Sequence, residues 1–244
     1  MTEGTVNPLQ IRAVYRWLTR HLTGRVSTYC WLCGASGCTG RELCHGCLLD
    51  LPWLLMACTR CAQPLPAAEA SLCPRCLRRP PPFQRVFAPF LYATPVDLLI
   101  QGFKFRADLP AGRLLAELLA DHLQDEQELP ELLLPVPLHP RRLRERGFNQ
   151  AWEITRVLGR RLGLAVDATL LSRLRHTEAQ RELIGKQRRR NVRGAFGLAR
   201  PLPARHVAIV DDVLTTGHTA MELARMLRRA GADRVDVWVV ARTP

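Results

Sequence analysis

Two constellations in this chain have the residue types and spacing to do chemistry. The first is "HVAIVDDVLTTGHTA", which begins at His206. An apolar run ends in two adjacent carboxylates, Asp211 and Asp212, and Thr215, Thr216, Gly217, His218 and Thr219 follow before a helical pattern takes over. A threonine–glycine turn that opens a helix offers free backbone N–H groups, the positive end of the helix dipole and hydroxyl donors, which together suit a phosphate. Carboxylates repel that same phosphate, so they must face a neutral, hydroxyl-rich part of the ligand. Adjacent acids fit a vicinal diol, and they favour a nearby divalent cation. A sugar phosphate is the simplest ligand that satisfies loop and acids together.

The second constellation is a set of eight cysteines in four CxxC pairs, "CWLC", "CHGC", "CTRC" and "CPRC", between Cys30 and Cys76. Each CxxC turn points two thiolates at one centre, and two such turns close a tetrahedral sulfur site suited to zinc. Two structural zinc ions are therefore expected. A disulfide framework competes with this reading, but nothing else in the chain indicates export, and disulfides are rare in a reducing cytosol. Redox CxxC motifs are a third option, weakened by four copies without a thioredoxin-like context. Spacing leaves sequential and interleaved ligand pairing both open. Sequential pairing is favoured, with Cys30, Cys33, Cys44 and Cys47 at one site and Cys58, Cys61, Cys73 and Cys76 at the other, because each gap suits a short hairpin. Cys38 is left over as a free thiol, and His45 reads as a neighbour of the ligands rather than one of them.

The elements that must position these groups follow from the rest of the chain. At 244 residues and 47% hydrophobic content it can bury one full core and carry a small module. The proline-rich "RRPPPFQ" from Arg78 is a stiff connector. The resulting division is an N-terminal amphipathic helix or tail over residues 1–27, a double zinc ribbon over 28–80 and an α/β domain over 81–244. In the last, apolar strands alternate with 3.6-period segments: "RVFAPFLYA", "ELLLPVPL", "HVAIVDD" and "VDVWVVA" read as strands, and "PVDLLIQGFKF", "AGRLLAELLADHLQ", "FNQAWEITRVLGRRLG" and the segment holding Ala220, Leu223, Ala224 and Leu227 read as helices. Such an order predicts a parallel sheet with helices on both faces, whose ligand sits where strands end and helices begin. Asp211 and the loop after it lie at that place.

The formal charge of +13, carried mainly by arginine, creates a field that attracts phosphate-bearing molecules. No apolar run approaches the roughly 18 to 20 residues that span a bilayer, so no membrane span is expected, and the chain reads as cytoplasmic. In "IRAVYRWLTRHL" from Ile11, the apolar face of Ile11, Tyr15, Leu18 and Leu22 favours a packing helix over a transit peptide or a membrane-surface helix.

The chain lacks the lysine of a Walker A loop and the GxGxxG of a dinucleotide fold. Its pattern instead closely resembles the phosphoribosyl diphosphate (PRPP) signature of type I phosphoribosyltransferases, with every position filled. The resemblance implies that Asp211 and Asp212 hold the ribose hydroxyls and that Thr215, Thr216, Gly217, His218 and Thr219 hold the 5′-phosphate. "PVPLHPRRLRERGFNQA", "LSRLRHTEAQREL", "RRRNVRGAF" and the leading CxxC module together resemble the ComF/GntX group of competence and DNA-utilisation proteins. By position, that likeness makes His139, Arg141 and Arg142 candidate pyrophosphate partners, with Arg141 joining the two acids in catalysis. It also makes residues 173–193 the loop that closes over PRPP. Where hypoxanthine-type salvage enzymes carry an aspartate base this chain has Thr215, which cannot act as a base at neutral pH, so purine salvage is disfavoured.

Two functions follow. One is a Mg²⁺-dependent displacement of pyrophosphate from PRPP by an unknown acceptor, linked to DNA uptake or utilisation. The other is a non-enzymatic protein of natural transformation that binds single-stranded DNA, alone or with other competence proteins, and keeps the PRPP cradle as a regulatory or vestigial site.

Overall fold

A computed structural model of the protein describes residues 29–37, 41–66, 71–175 and 194–244. The N-terminal segment, Cys38 and residues 176–193 of the expected closing loop lie outside the described residues. The chain divides after Asp50 into two compact units. Composition sets the expected module boundary near residue 80, whereas the contacts place the second four-cysteine group in the larger unit, where Leu54, Cys61 and Ala62 pack against the core of the α/β sheet.

The two four-cysteine groups share one local construction. In the smaller unit Gly34, at φ +74°, donates to the Cys30 carbonyl at 2.9 Å, and helix α1 (His45–Leu49) begins at Cys44, whose Sγ accepts from Cys47 N. In the larger unit Ala62, at φ +53°, donates to the Cys58 carbonyl at 2.8 Å. Helix α2 (Pro74–Arg78) then begins at Cys73, whose Sγ accepts from Cys76 N. A left-handed residue just after the second cysteine folds the chain back, and the third cysteine caps the helix that carries the fourth.

Beyond the second group come β1 (Arg85–Phe87), β2 (Phe90–Leu91), α3 (Val96–Arg106), α4 (Leu109–Leu123), β3 (Leu132–Pro135), α5 (Pro140–Arg146), α6 (Gln150–Leu162) and β4 (Ala165–Val166). The chain closes with β5 (Leu171–Arg173), β6 (Phe196–Leu198), β7 (His206–Leu214), α7 (His218–Arg229) and β8 (Arg234–Arg242). The main sheet runs β1-β8-β7-β3-β4, with β2 also on β8, and every pairing in it is parallel. A separate antiparallel ribbon joins β5 and β6.

The expected sheet with helices on both faces is the one observed. Leu132, Leu134, Val207, Ile209, Val235 and Val237 share a core with Ala220, Leu223, Ala224 and Leu227 of α7. The alternate residues, Leu133, Ala208, Val210 and Val240, are equally buried, and α4 and α6 pack on the sheet. Strands covered on both sides explain why their sequences read as continuous apolar runs.

Strand order also fixes where a ligand can enter. β3 leads through α6 to β4 on one side, and β7 leads through α7 to β8 on the other. Because such crossovers are right-handed, opposite directions put α6 and α7 on opposite faces and leave a crevice where β3 and β7 end side by side.

The packing of α3 on α4 is close at one point, where a Cβ added to Gly112 would overlap the buried ring of Phe103. Gly112→Ala should therefore lower stability by about 1–3 kcal/mol. Calorimetry should show the thermal midpoint falling by several degrees, and an unchanged midpoint would mean that the ring has room to move.

Candidate functional site

The crevice holds a cleft of about 600 Å³. Its floor is the end of β7, which emerges from four fully buried residues into Asp211 and Asp212. Asp211 accepts a hydrogen bond from Asp212 N at 2.9 Å. Asp212 is 3% exposed, and its Oδ2 lies 2.7 Å from Lys104 Nζ, an ion pair whose geometry is not that of a hydrogen bond. Burial, reinforced by the charge of Asp212, pushes the Asp211 carboxyl up to about 7, against the pull of Lys104.

The loop after the acids turns through Gly217 at φ +74°, the N-cap position of α7. Added volume there would meet only Leu214, at 3.8 Å, so the left-handed backbone rather than space calls for glycine. No side chain caps α7, which leaves its first-turn N–H groups to a ligand. Thr216 Oγ1 and His218 Nδ1 are 3.1 Å apart. All five residues from Thr215 to Thr219 line the cleft together with both acids.

The opposite wall is cationic. Arg142 and Arg146 of α5 and Arg173 of β5 line the cleft. Burial and then the charge of Arg142 pull Arg146 and Arg173 below the ordinary guanidinium range, while Asp211 opposes that pull on both. The three cations and the acids thus share one electrostatic environment.

His139 and Arg141 sit differently. His139 caps α5, accepting from Arg141 N at 3.3 Å, and Arg141 Nε turns to Glu145 at 3.0 Å. Neither lines the cleft; Arg142 and Arg146 do. The helical period separates them, since Arg142 and Arg146 are four residues apart on one face of α5 and Arg141 with Glu145 occupies the next.

Sequence reasoning missed a further wall. Gln101, Lys104 and Phe105 of α3 line the cleft with Tyr92. Phe105 is 60% exposed, with the Arg146 guanidinium 5.8 Å from its ring centre. The i, i+3, i+4 spacing of these α3 residues was the available signal: a polar, charged and aromatic stripe on a helix whose other face is apolar. Gln150 was also missed. It lines the cleft, is 6% exposed, and its Oε1 has no hydrogen-bond partner.

In both four-cysteine groups the sulfurs lie within 4.8 Å of one another, grouped sequentially. Cys33 and Cys44 Sγ are 3.7 Å apart, as are Cys61 and Cys73 Sγ. A tetrahedron with metal–sulfur bonds of about 2.3 Å has an edge of about 3.8 Å, whereas a disulfide needs about 2 Å. The groups can therefore hold metal ions. Burial opposes thiolate formation, yet backbone N–H groups bring Cys30 down to about 6 and Cys58 to about 7.

Fold and site define the class: an α/β protein with two four-cysteine groups and a cleft that sets paired acids and a helix-opening threonine loop against arginines. The chain belongs to the family of the DNA utilization protein YhgH and competence protein F. It is 38% identical to DNA utilization protein YhgH of Salmonella typhimurium over 221 residues, 88% of this chain and 96% of that one. It is 36% identical to competence protein F of Haemophilus influenzae over 211 residues, 82% of this chain and 90% of that one. It is also similar to competence protein ComFC of Streptococcus pneumoniae, at 25% identity over 162 residues, 63% of this chain and 66% of that one. No family model matches the chain. Among solved structures, a hypoxanthine phosphoribosyltransferase of Staphylococcus aureus aligns with a TM-score of 0.34 and 15% identity, over 55% of this chain and 64% of that one. A purine phosphoribosyltransferase of Pyrococcus horikoshii aligns at 0.31 and 16%, over 54% and 81%.

The raised Asp211 carboxyl has a thermodynamic signature. Its proton is held more tightly in the folded chain than in the unfolded one, so its contribution to stability is complete below about pH 4 and is lost as pH rises to about 7. Relative to Asp211→Asn, the ligand-free wild type should therefore lose thermal stability across that window and level off above it. A difference between the two proteins that is flat from about pH 4 to 8 would contradict the assignment.

Proposed function

We propose that the chain binds PRPP with Mg²⁺ and transfers its phosphoribosyl group to an acceptor. In this reaction the bond from the anomeric carbon to pyrophosphate breaks as a bond from the acceptor nucleophile forms. The observation that carries the reading is the acid pair of β7 running directly into the loop that opens α7. A phosphate donor set and a diol acceptor set thereby lie a few residues apart in one cleft.

Asp211 and Asp212 accept from the ribose hydroxyls, and Thr215 to Thr219 donate to the 5′-phosphate. Arg142, Arg146 and Arg173 face the charge that builds on pyrophosphate, a stabilisation that is strong in a partly desolvated cleft. Carboxylate oxygens suit a hard cation, and Mg²⁺ would supply charge neutralisation on the leaving group. His139 and Arg141 serve this scheme by capping and holding α5. The two four-cysteine groups hold structural zinc, and free thiols fit a reducing, cytoplasmic setting. Among the described residues no helix is long and apolar enough to cross a membrane.

A second reading has its own support. The relatives carry names that refer to DNA utilization and competence, and the cleft is lined with arginine, so the site would hold single-stranded DNA without turnover. Such binding would weaken steeply with salt, by roughly 0.7 counterions for each phosphate neutralised, and would show little sequence preference. Fluorescence anisotropy should then show competition between the strand and PRPP. Binding that is absent at low salt would remove this reading. Arg188, Arg189 and Arg190, which would add to it, lie outside the described residues.

For the enzymatic reading, PRPP should raise the thermal midpoint only with Mg²⁺ present, and pyrophosphate should be released when a metabolite pool supplies the acceptor. Asp211→Asn combined with Asp212→Asn should abolish the shift while the chain stays folded. A shift that persists in that double variant would remove the ribose role of the acids.

A further inference from the structure

Arg242 ends β8 opposite Leu214 of β7 and Leu91 of β2, so its backbone is fixed from both sides. Its side chain is buried, with the residue 6% exposed. One edge of the guanidinium meets the second four-cysteine group: Nε donates to the Cys61 carbonyl at 3.3 Å and Nη2 to Gln63 Oε1 at 2.7 Å. The other edge meets the start of the threonine loop, where Nη1 donates to the Leu214 carbonyl at 3.0 Å and to the Thr215 carbonyl at 2.7 Å. A guanidinium is planar and rigid, so a displacement at one edge is felt at the other.

Both ends of this strut matter. The Cys61 carbonyl belongs to a turn held by Cys58 N on the Gln63 carbonyl and Ala62 N on the Cys58 carbonyl, each at 2.8 Å, with the Cys61 and Cys73 sulfurs 3.7 Å apart. A metal ion bonded to those sulfurs would lock the turn. At the loop, the peptide planes after Leu214 and Thr215 are trans. Carbonyls held toward Arg242 therefore point the N–H groups of Thr215 and Thr216 the opposite way. Fixed N–H direction is what a phosphate-binding loop requires.

We propose that Arg242 is a positioning residue that ties the second four-cysteine group to the phosphate loop, so that the loop's affinity for PRPP depends on metal bound by Cys58, Cys61, Cys73 and Cys76. The affinity arm of this proposal rests on the PRPP reading above; the structural link does not.

The test uses the full chain as Cys73→Ser, Arg242→Lys and the double variant, with Arg234→Lys as control. Metal content, Mg²⁺-PRPP affinity and amide hydrogen exchange of Leu214 to Thr219 without ligand are measured on each. Cys73→Ser should lose about one metal ion per chain, whereas Arg242→Lys should keep its metal, because lysine retains the charge and lacks the fork. Both should bind PRPP about tenfold more weakly and exchange the loop amides correspondingly faster, as expected when hydrogen bonds from a charged donor are lost. The double variant should be no worse than either single one, and Arg234→Lys should match wild type. Multiplying effects in the double variant, or loop exchange indifferent to both substitutions, would overturn the link. If Cys73→Ser fails to fold, Arg242→Lys with its metal retained decides. If wild type binds no PRPP, the proposed function fails, and amide exchange alone decides the link.

Discussion

Two neighbouring carboxylates at the end of a buried parallel strand set the terms for everything around them. Strand β7 is covered on both faces and ends at its carboxyl edge in a half-buried Asp211 and a buried Asp212, and ionising both there is costly without cations. Lys104 meets Asp212, and Arg146 and Arg173 feel the charge of Asp211. These cations come from α3, α5 and β5, three elements that must converge on one strand end. The cleft is thus an electrostatic consequence of the strand order. Because β3 and β7 lie side by side while their crossovers leave in opposite directions, there is one edge where loops from both can meet.

The same end of the sheet explains why the second four-cysteine group folds with the α/β unit. Strand β8 brings Arg242 to the level of Leu214, and a buried guanidinium needs acceptors on every side. The turn at Cys61 and Gln63 supplies those that the sheet cannot. Cys61 and Ala62 then pack on the apolar face that includes Phe83 and Val86. A turn of the second four-cysteine group has become part of the core of the larger unit, and its carbonyls serve the sheet while its sulfurs are grouped so that they can hold a metal ion.

Much of this was legible in the sequence. Apolar runs such as "HVAIVDD" and "VDVWVVA" read as strands buried on both faces, and the Asp-Asp and Thr-Thr-Gly spacing pointed to a site at the end of one of them. The four CxxC pairs marked two four-cysteine groups, but their spacing left sequential and interleaved pairing open; the structure groups the sulfurs sequentially, as favoured. What stayed hidden depends on side-chain direction and distant contacts. Seven residues of "PRRLRER" form α5, and only its rotation decides that Arg142 and Arg146 face the cleft while Arg141 turns to Glu145. Lys104 is far from Asp212 in the chain, and no local pattern pairs them. Arg242 lies in a strand otherwise buried and mostly apolar, where an arginine reads as the exposed end of an edge rather than as a strut.

The two four-cysteine groups show how one local design takes on different roles. Both use a left-handed residue after the second cysteine, glycine at position 34 and alanine at position 62. Alanine meets a steric cost in that conformation which glycine avoids. Ala62 is nonetheless buried at 3% exposure within the apolar cluster of the larger unit, so its methyl group contributes packing that partly offsets the strain. Gly34 is exposed and has open space around it, so a methyl group there would gain no such contact. The exposure of the cysteines differs in degree along the same division: Cys58, Cys73 and Cys76 are buried in the second group, whereas in the first only Cys30 is buried and Cys33 is exposed. Identical ligand chemistry therefore sits in two dielectric settings. In the second, where most of the sulfurs are kept from water, a metal ion would be the means of holding the charge of the thiolates it binds.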